Sequence, residues 1–183
     1  MGPANDLTGN PRCLSRDFSP SFAGRYLGVN VTRHTISQSD YGHFDSVVQG
    51  GPSFELSGLH GGGHYGVGGT LGEMGDLYNS PAGEKIYGPS IDSNIEFFSL
   101  FPDPVFYLHH ANLDRVWWSW QKKDLARRLV DISGPIAMMD YQGANVTLNF
   151  PLSVGINAAE VTIGDVMDIR GSALCYDYDK VYV

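Results

Sequence analysis

The stretch from Asp103 to Asp124 limits what this chain can fold into more than any other. Asp103 is a good helix N-cap, and Pro104 falls at the first helical position, where its missing N–H costs nothing. Phe106, His110, Leu113, Trp117 and then Trp120 or Gln121 follow at spacings of three and four, so they share a helical face. Val105, His109, Val116 and Trp120 form a second row beside it. A helix apolar over so wide an arc is expected to be mostly buried. An imidazole on it then needs hydrogen-bond partners or a metal for its ring nitrogens.

All six histidines lie between positions 34 and 110. His60 and His64 are one helical turn apart and on a helix would point the same way, able to hold one metal. The plainer alternative is two helix-surface histidines. No glutamate follows His60, which excludes the zinc-protease pattern, where that carboxylate is the general base. The His109-His110 pair offers a third ring. Asp114, one turn beyond His110, reads either as a carboxylate orienting a ligand imidazole or as a surface group paired with Arg115 or a lysine. Three neutral imidazoles suit copper, zinc or iron, and spacing does not choose among them.

The 183 residues suffice for one domain with a real core. A net charge of −8 with no Lys/Arg run argues against nucleic acid or an anionic membrane as partner. The longest apolar runs are too short to span a bilayer. Met1 is followed by Gly-Pro-Ala-Asn-Asp, which is not a secretory leader, so the start reads as a cytosolic N-terminus or a cut inside a longer protein. Sequons at Asn30 and Asn145 and an even cysteine count favour a secreted, oxidised glycoprotein. Cys13 and Cys175 form either a bridge or two buried thiols. An unstrained bridge closing so long a loop would add roughly 4–5 kcal/mol.

Elsewhere the pattern is weaker. Residues 1–37 read as mostly irregular chain. Ser39–Gln49 reads as a short helix stopped by Gly50-Gly51-Pro52, and Ser53 to about His64 as another, weakened by its glycines. Glycines concentrated in 50–88 suggest loops around a site. Residues 134–160 read as loop with short strands. Thr162 can cap a turn running to Ile169, and Ala173–Val183 reads as extended.

The run Asp103-Pro104-Val105-Phe106-Tyr107-Leu108-His109-His110-Ala111-Asn112-Leu113-Asp114-Arg115-Val116-Trp117-Trp118-Ser119-Trp120-Gln121 resembles the second copper-binding motif of tyrosinases and catechol oxidases. Leu59-His60-Gly61-Gly62-Gly63-His64-Tyr65-Gly66-Val67-Gly68-Gly69 is similar to the upstream half of that motif, and Leu174-Cys175-Tyr176-Asp177-Tyr178 to the Tyr-x-Tyr signature closing the catalytic core. Pro11-Arg12-Cys13-Leu14-Ser15-Arg16-Asp17-Phe18 resembles a segment of fungal members. The resemblance implies a mainly α fold: a copper-binding helical bundle of the tyrosinase type with long loops and few short strands. It implies His60, His64 and His110 as ligands of one copper, His109 as a neighbour of that site, and Tyr176 and Tyr178 as structural. The implied activity is copper-dependent oxidation of o-diphenols or o-aminophenols to o-quinones by O2, with a phenolic small molecule as substrate. The alternatives are haemocyanin-like oxygen binding or a non-catalytic remnant carrying one copper.

The family site holds two coppers with three histidines each, and the first-copper half is not found in this sequence. His34 and His43 lack the surrounding Trp-His-Arg pattern and read as surface or helix-end residues. Residues 1–183 therefore read as the C-terminal half of the copper-binding domain, one copper held by this chain, with an N-terminal half-domain supplying the other. Many tyrosinases carry Asn after the first of these ligands and a nearby Glu, which together hold a water that deprotonates monophenols. Here those positions are Gly61 and, on the best alignment, Gln49, with Glu55 as a rival. Tyr65 occupies the second modulating position. Gln cannot serve as a carboxylate base, so weak monophenol hydroxylation is implied. Phe97, with Phe98 or Leu100 as alternatives, is the candidate gate over the copper pair; its other reading is core packing.

Overall fold

Ser19 is followed by Pro20, the pairing of a capping hydroxyl with a residue pre-set for the first helical turn. In the computed structural model the Ser19 hydroxyl accepts from Phe22 N, and helix α1 runs Pro20–Tyr26. A second helix, α2, follows at Val29–Ile36. Residues 18–37 are thus largely helical where the sequence pattern suggested irregular chain. The elements are too short to show a period, and the capping pair was the one local signal. The structure describes residues 18–50, 56–68, 104–137, 140, 142–153, 155–171 and 173–183.

Helix α3 spans Tyr41–Gln49, and the Asp40 carboxylate accepts from His43 N at 3.0 Å at its start. Helix α4 spans Leu59–Gly68. It begins later than the glycine-weakened pattern suggested and runs past His64. Helix α5 spans Pro104–Gln121, and Asp124 is not part of it: its side chain accepts from Arg127 N and caps the short helix α6, Leu125–Arg128. Asp103, the expected cap of α5, lies outside the described residues. Strand β1 (Pro151–Leu152) pairs antiparallel with β2 (Val161–Thr162), and a Thr162/Asp165 capping box opens helix α7, Ile163–Val166. The described residues are mainly helical, as expected. Ala173–Val183 runs as irregular chain without strand pairing.

The chain divides into two compact units, residues 1–31 with 49–113 and residues 32–48 with 114–183. In the first, α1 lies on α4, with Ser19 N donating to Gly66 O at 3.1 Å. Glycines make that approach possible. A Cβ on Gly62 would stand 2.6 Å from Tyr26 Cβ, and one on Gly66 3.2 Å from Ala23 Cβ. The helix-weakening glycines of α4 thus serve close packing, which is why α4 forms despite their cost.

The core of the second unit is built on Trp118 and Trp120, both 0% exposed, with Ile36, Phe44, Val48, Val116, Met167 and Ile169. Both indole nitrogens are satisfied, Trp118 Nε1 donating to Asp177 Oδ1 at 2.9 Å and Trp120 Nε1 to Gln38 O at 2.8 Å. Gln121 Nε2 donates to Met167 O at 3.0 Å. Burial on α5 is concentrated in its last turns. Tyr107 and Leu108 are 63% and 69% exposed, so the expectation of a mostly buried helix holds only for its C-terminal part.

Asp114 is neither a ligand-orienting carboxylate nor a partner of Arg115. Its Oδ2 accepts from the Tyr176 hydroxyl at 2.6 Å and from that of Tyr178 at 2.7 Å. Burial first, then the adjacent carboxylate, raises both phenols well above their usual value and keeps them donors. Arg115 instead donates to Lys180 O and lies over the Tyr182 ring. The two tyrosines therefore tie the chain's last residues to α5, the structural part expected of them. Cys175 is an exposed free thiol, and Cys13 lies outside the described residues.

Candidate metal centre

His60 and His64 sit one turn apart on α4, and their Nε2 atoms stand 3.0 Å apart. His110 comes from the second turn of α5, with ring centroids 5.4 Å from His60 and 5.1 Å from His64. One ring nitrogen from each of the three falls in a cluster whose members all lie within 4.8 Å of one another. A first-row metal bonded at about 2.0 Å needs nitrogen pairs roughly 3–4 Å apart, so closing the widest pair takes less than about an ångström. The donor set therefore fits a metal ion.

Protonation points the same way. Burial, followed by the neighbouring His110 and His109 rings, pushes His60 down to about 4. Burial and then His60 push His64 down to about 3. Both rings are neutral at pH 7, the state that offers a lone pair to a metal. Where the rings' other nitrogens go fixes which lone pair is offered. His110 Nδ1 donates to Phe106 O at 2.7 Å, within its own helix, leaving Nε2 for the site. His60 Nδ1 donates to Gln49 Oε1 at 2.6 Å.

His109 is a neighbour of this cluster and not a member. Its Nε2 donates to His60 O at 2.9 Å, so the ring bonds the backbone of α4. It fits there because residue 63 is glycine: a Cβ at Gly63 would collide with the His109 ring. Phe106 completes the surroundings, its ring 4.0 Å from that of His110 and 5.8 Å from that of His64.

Of the other expected site residues, Gly61 and Tyr65 lie on α4 beside His60 and His64. Tyr65 packs edge-on against Phe22 at 5.5 Å. Gln49 reaches His60 directly, a contact that no spacing rule anticipates because it crosses from one helix to the next. Glu55, Phe97, Phe98 and Leu100 lie outside the described residues. His34 and His43 are exposed, and His43 pairs with Asp40 at 2.8 Å. Phe106 O, His60 O and Gly63 were missed from the sequence. Two are backbone acceptors without a side-chain signature, and the third works by lacking a side chain.

A family described as the common central domain of tyrosinase matches residues 1–123. A tyrosinase-like protein of Diaporthe leptostromiformis is 43% identical over 86 residues, 45% of this chain and 22% of that protein. The N-acetyl-6-hydroxytryptophan oxidase of Emericella nidulans is 29% identical over 186 residues, covering 97% of this chain and 44% of that protein. Among solved structures, a variant of the polyphenol oxidase of Thermothelomyces thermophila matches with a TM-score of 0.68 and 30% identity, over 98% of this chain and 47% of that one. The chain thus spans under half the length of each of these relatives. With its helices, its histidine cluster and a family match over most of its length in agreement, the chain belongs to the tyrosinase family.

Proposed function

We propose that this chain is the second-copper half of the catalytic domain of an oxidase, acting when joined by a half that carries the first copper. The reaction is oxidation of o-diphenols or o-aminophenols: two diphenols and one O2 give two o-quinones and two waters. The observation that carries the reading is the convergence of His60, His64 and His110 on one point. Copper suits this donor set because imidazole nitrogens are borderline ligands, and bound copper supplies the electron transfer that the side chains cannot.

The chain's own part is to hold three imidazoles together, the His60 and His110 rings each spending Nδ1 on an oxygen acceptor and leaving Nε2 for the cluster. The Phe106 ring lies against that of His110 and within 5.8 Å of that of His64. Phe97 is assigned as the aromatic over the metal pair. No carboxylate stands at the two positions that would activate a monophenol. Gly61 has no side chain, and the Gln49 amide is engaged with His60. Tyr65 packs edge-on against Phe22. Diphenols, which bring a second ionisable hydroxyl, need that help less. The protein is assigned to the secretory route, with Asn30 and Asn145, both exposed, as glycan acceptors.

The test is oxygen uptake by the complete, copper-loaded protein on catechol, o-aminophenol, a hydroxyindole and a simple monophenol. Rapid turnover of the ortho-disubstituted substrates with slow monophenol turnover is expected. No oxidation of any of them, or faster monophenol turnover, would refute the reading.

A further inference from the structure

We propose that Gln49 is a positioning residue of the copper site, its side-chain carbonyl fixing the tautomer and direction of His60. The proposal rests on reading His60, His64 and His110 as copper ligands. Nδ1 of His60 lies 2.6 Å from Gln49 Oε1, and Nε2 of the same ring lies 3.0 Å from His64 Nε2. A neutral imidazole carries one proton. With the amide carbonyl facing His60, that proton sits on Nδ1 and the Nε2 lone pair points into the cluster. Turned round, the amide NH2 would donate to Nδ1 and force the proton onto Nε2, the atom that has to bind. A metal between the two Nε2 atoms therefore requires the carbonyl orientation.

The backbone around Gln49 is built to deliver this contact. Gln49 is the last residue of α3, and His60 is the second residue of α4. Gly50 and Ser57 pair as an antiparallel bridge, and Gly58 N donates to Gln49 O at 3.4 Å. The two ends of the α3–α4 connection are thereby joined next to His60. Gly50 has φ +89°, and a Cβ there would collide with Gly58 N and Leu56 O. Only glycine suits that turn, so the position of Gln49 is set on both sides.

The same logic recurs at His110, whose Nδ1 donates to Phe106 O. Two of the three ligand rings thus spend their outer nitrogen on an oxygen acceptor. The acceptor at His110 is fixed by the helix itself. At His60 it is a side chain, the one member of this pair of supports that substitution can remove. A neutral amide orients the ring without drawing off its proton, which a carboxylate would do more strongly.

Copper affinity of the complete protein tests this, measured by competition of cuprous ion against a chromophoric chelator, with circular dichroism confirming the fold. Gln49→Leu is expected to weaken retention about 10–100-fold, the usual consequence of losing a ligand's hydrogen-bond partner. Gln49→Glu, which keeps an acceptor at the same reach and pulls on the Nδ1 proton more strongly, is expected to retain copper at least as tightly as the wild type. His64→Ala serves as the control. If His64→Ala loses copper while Gln49→Leu binds it as tightly as wild type, the positioning role is refuted and the ligand assignment stands. If Leu and Glu weaken it equally, the acceptor is irrelevant and the proposal fails. If His64→Ala itself keeps full affinity, the ligand assignment fails and takes this proposal with it.

Discussion

At the scale of single residues, His110 carries the most weight. It is the one member of the histidine cluster from α5, and its Nδ1 is already committed to Phe106 O. His110→Ala is expected to empty this copper position and abolish diphenol oxidation in the complete protein, read by metal quantification and oxygen uptake; full activity would refute the ligand assignment. Gly61 tests the specificity reading. A Cβ there would meet Ser57 Oγ at 3.1 Å and Ser57 Cβ at 3.2 Å, so Ser57 must shift by a few tenths of an ångström. Gly61→Asn is expected to keep stability within about 1 kcal/mol, the helix-propensity gain offsetting the crowding. It is also expected to raise monophenol turnover relative to diphenol turnover, and an unchanged ratio of the two rates would remove the role assigned to this position. The pairing of His60 with His64 was legible in the sequence because two residues one helical turn apart share a face, and the structure brings His110 to them. The work of Gln49 was not, because a bond between helices leaves no period, and the fate of Asp114 was not, because its partners lie 62 and 64 positions away.

At the scale of elements, α4 shows how a poor helix sequence is held by its neighbours. Gly62 and Gly66 face α1, and Gly63 faces His109. In an isolated helix Gly63→Ala would gain about 1 kcal/mol of propensity. Here the added methyl strikes the His109 ring, and overpacking of this kind costs about 1–3 kcal/mol. The variant is expected to be less stable than wild type and to hold copper less tightly, since His109 fastens α5 to the backbone of His60. A higher melting temperature would show that the ring moves aside freely. The C-terminal tie is a second element-scale test. Asp114→Ala strips the shared acceptor from Tyr176 and Tyr178, and the partial exposure of the pair limits the loss to about 1–2 kcal/mol. It is read as a lowered denaturation midpoint at unchanged slope. Helix α5 was legible from its own period, whereas α1 and α2 are short and depend on capping and tertiary packing. The expected burial of α5 is met only toward its C-terminal end, because Val105, Phe106 and Leu113, on the apolar rows, are half-buried while Val116 and Trp120 are buried.

At the scale of the whole molecule, the histidine inventory decides what this chain can do alone. Of six histidines, three form the cluster and His109 donates to His60 O. His34 and His43 are exposed, the latter paired with Asp40. Among the described residues His60, His64 and His110 are the group that could hold a metal, while each of the relatives compared is more than twice as long as its matched part. The electron count makes this consequential. Oxidising one diphenol takes two electrons and reducing O2 to water takes four, whereas one copper exchanges a single electron. On the proposed reading, the 183-residue chain by itself is expected to bind no more than one copper and to show no sustained catechol oxidation, and a protein carrying both halves to bind two and turn over. Intact-mass analysis of the native material with copper quantification reads the first part, and oxygen uptake on catechol reads the second. Two coppers on the isolated chain, or steady catechol turnover by it, would mean that this sequence builds its oxidase site without a second half.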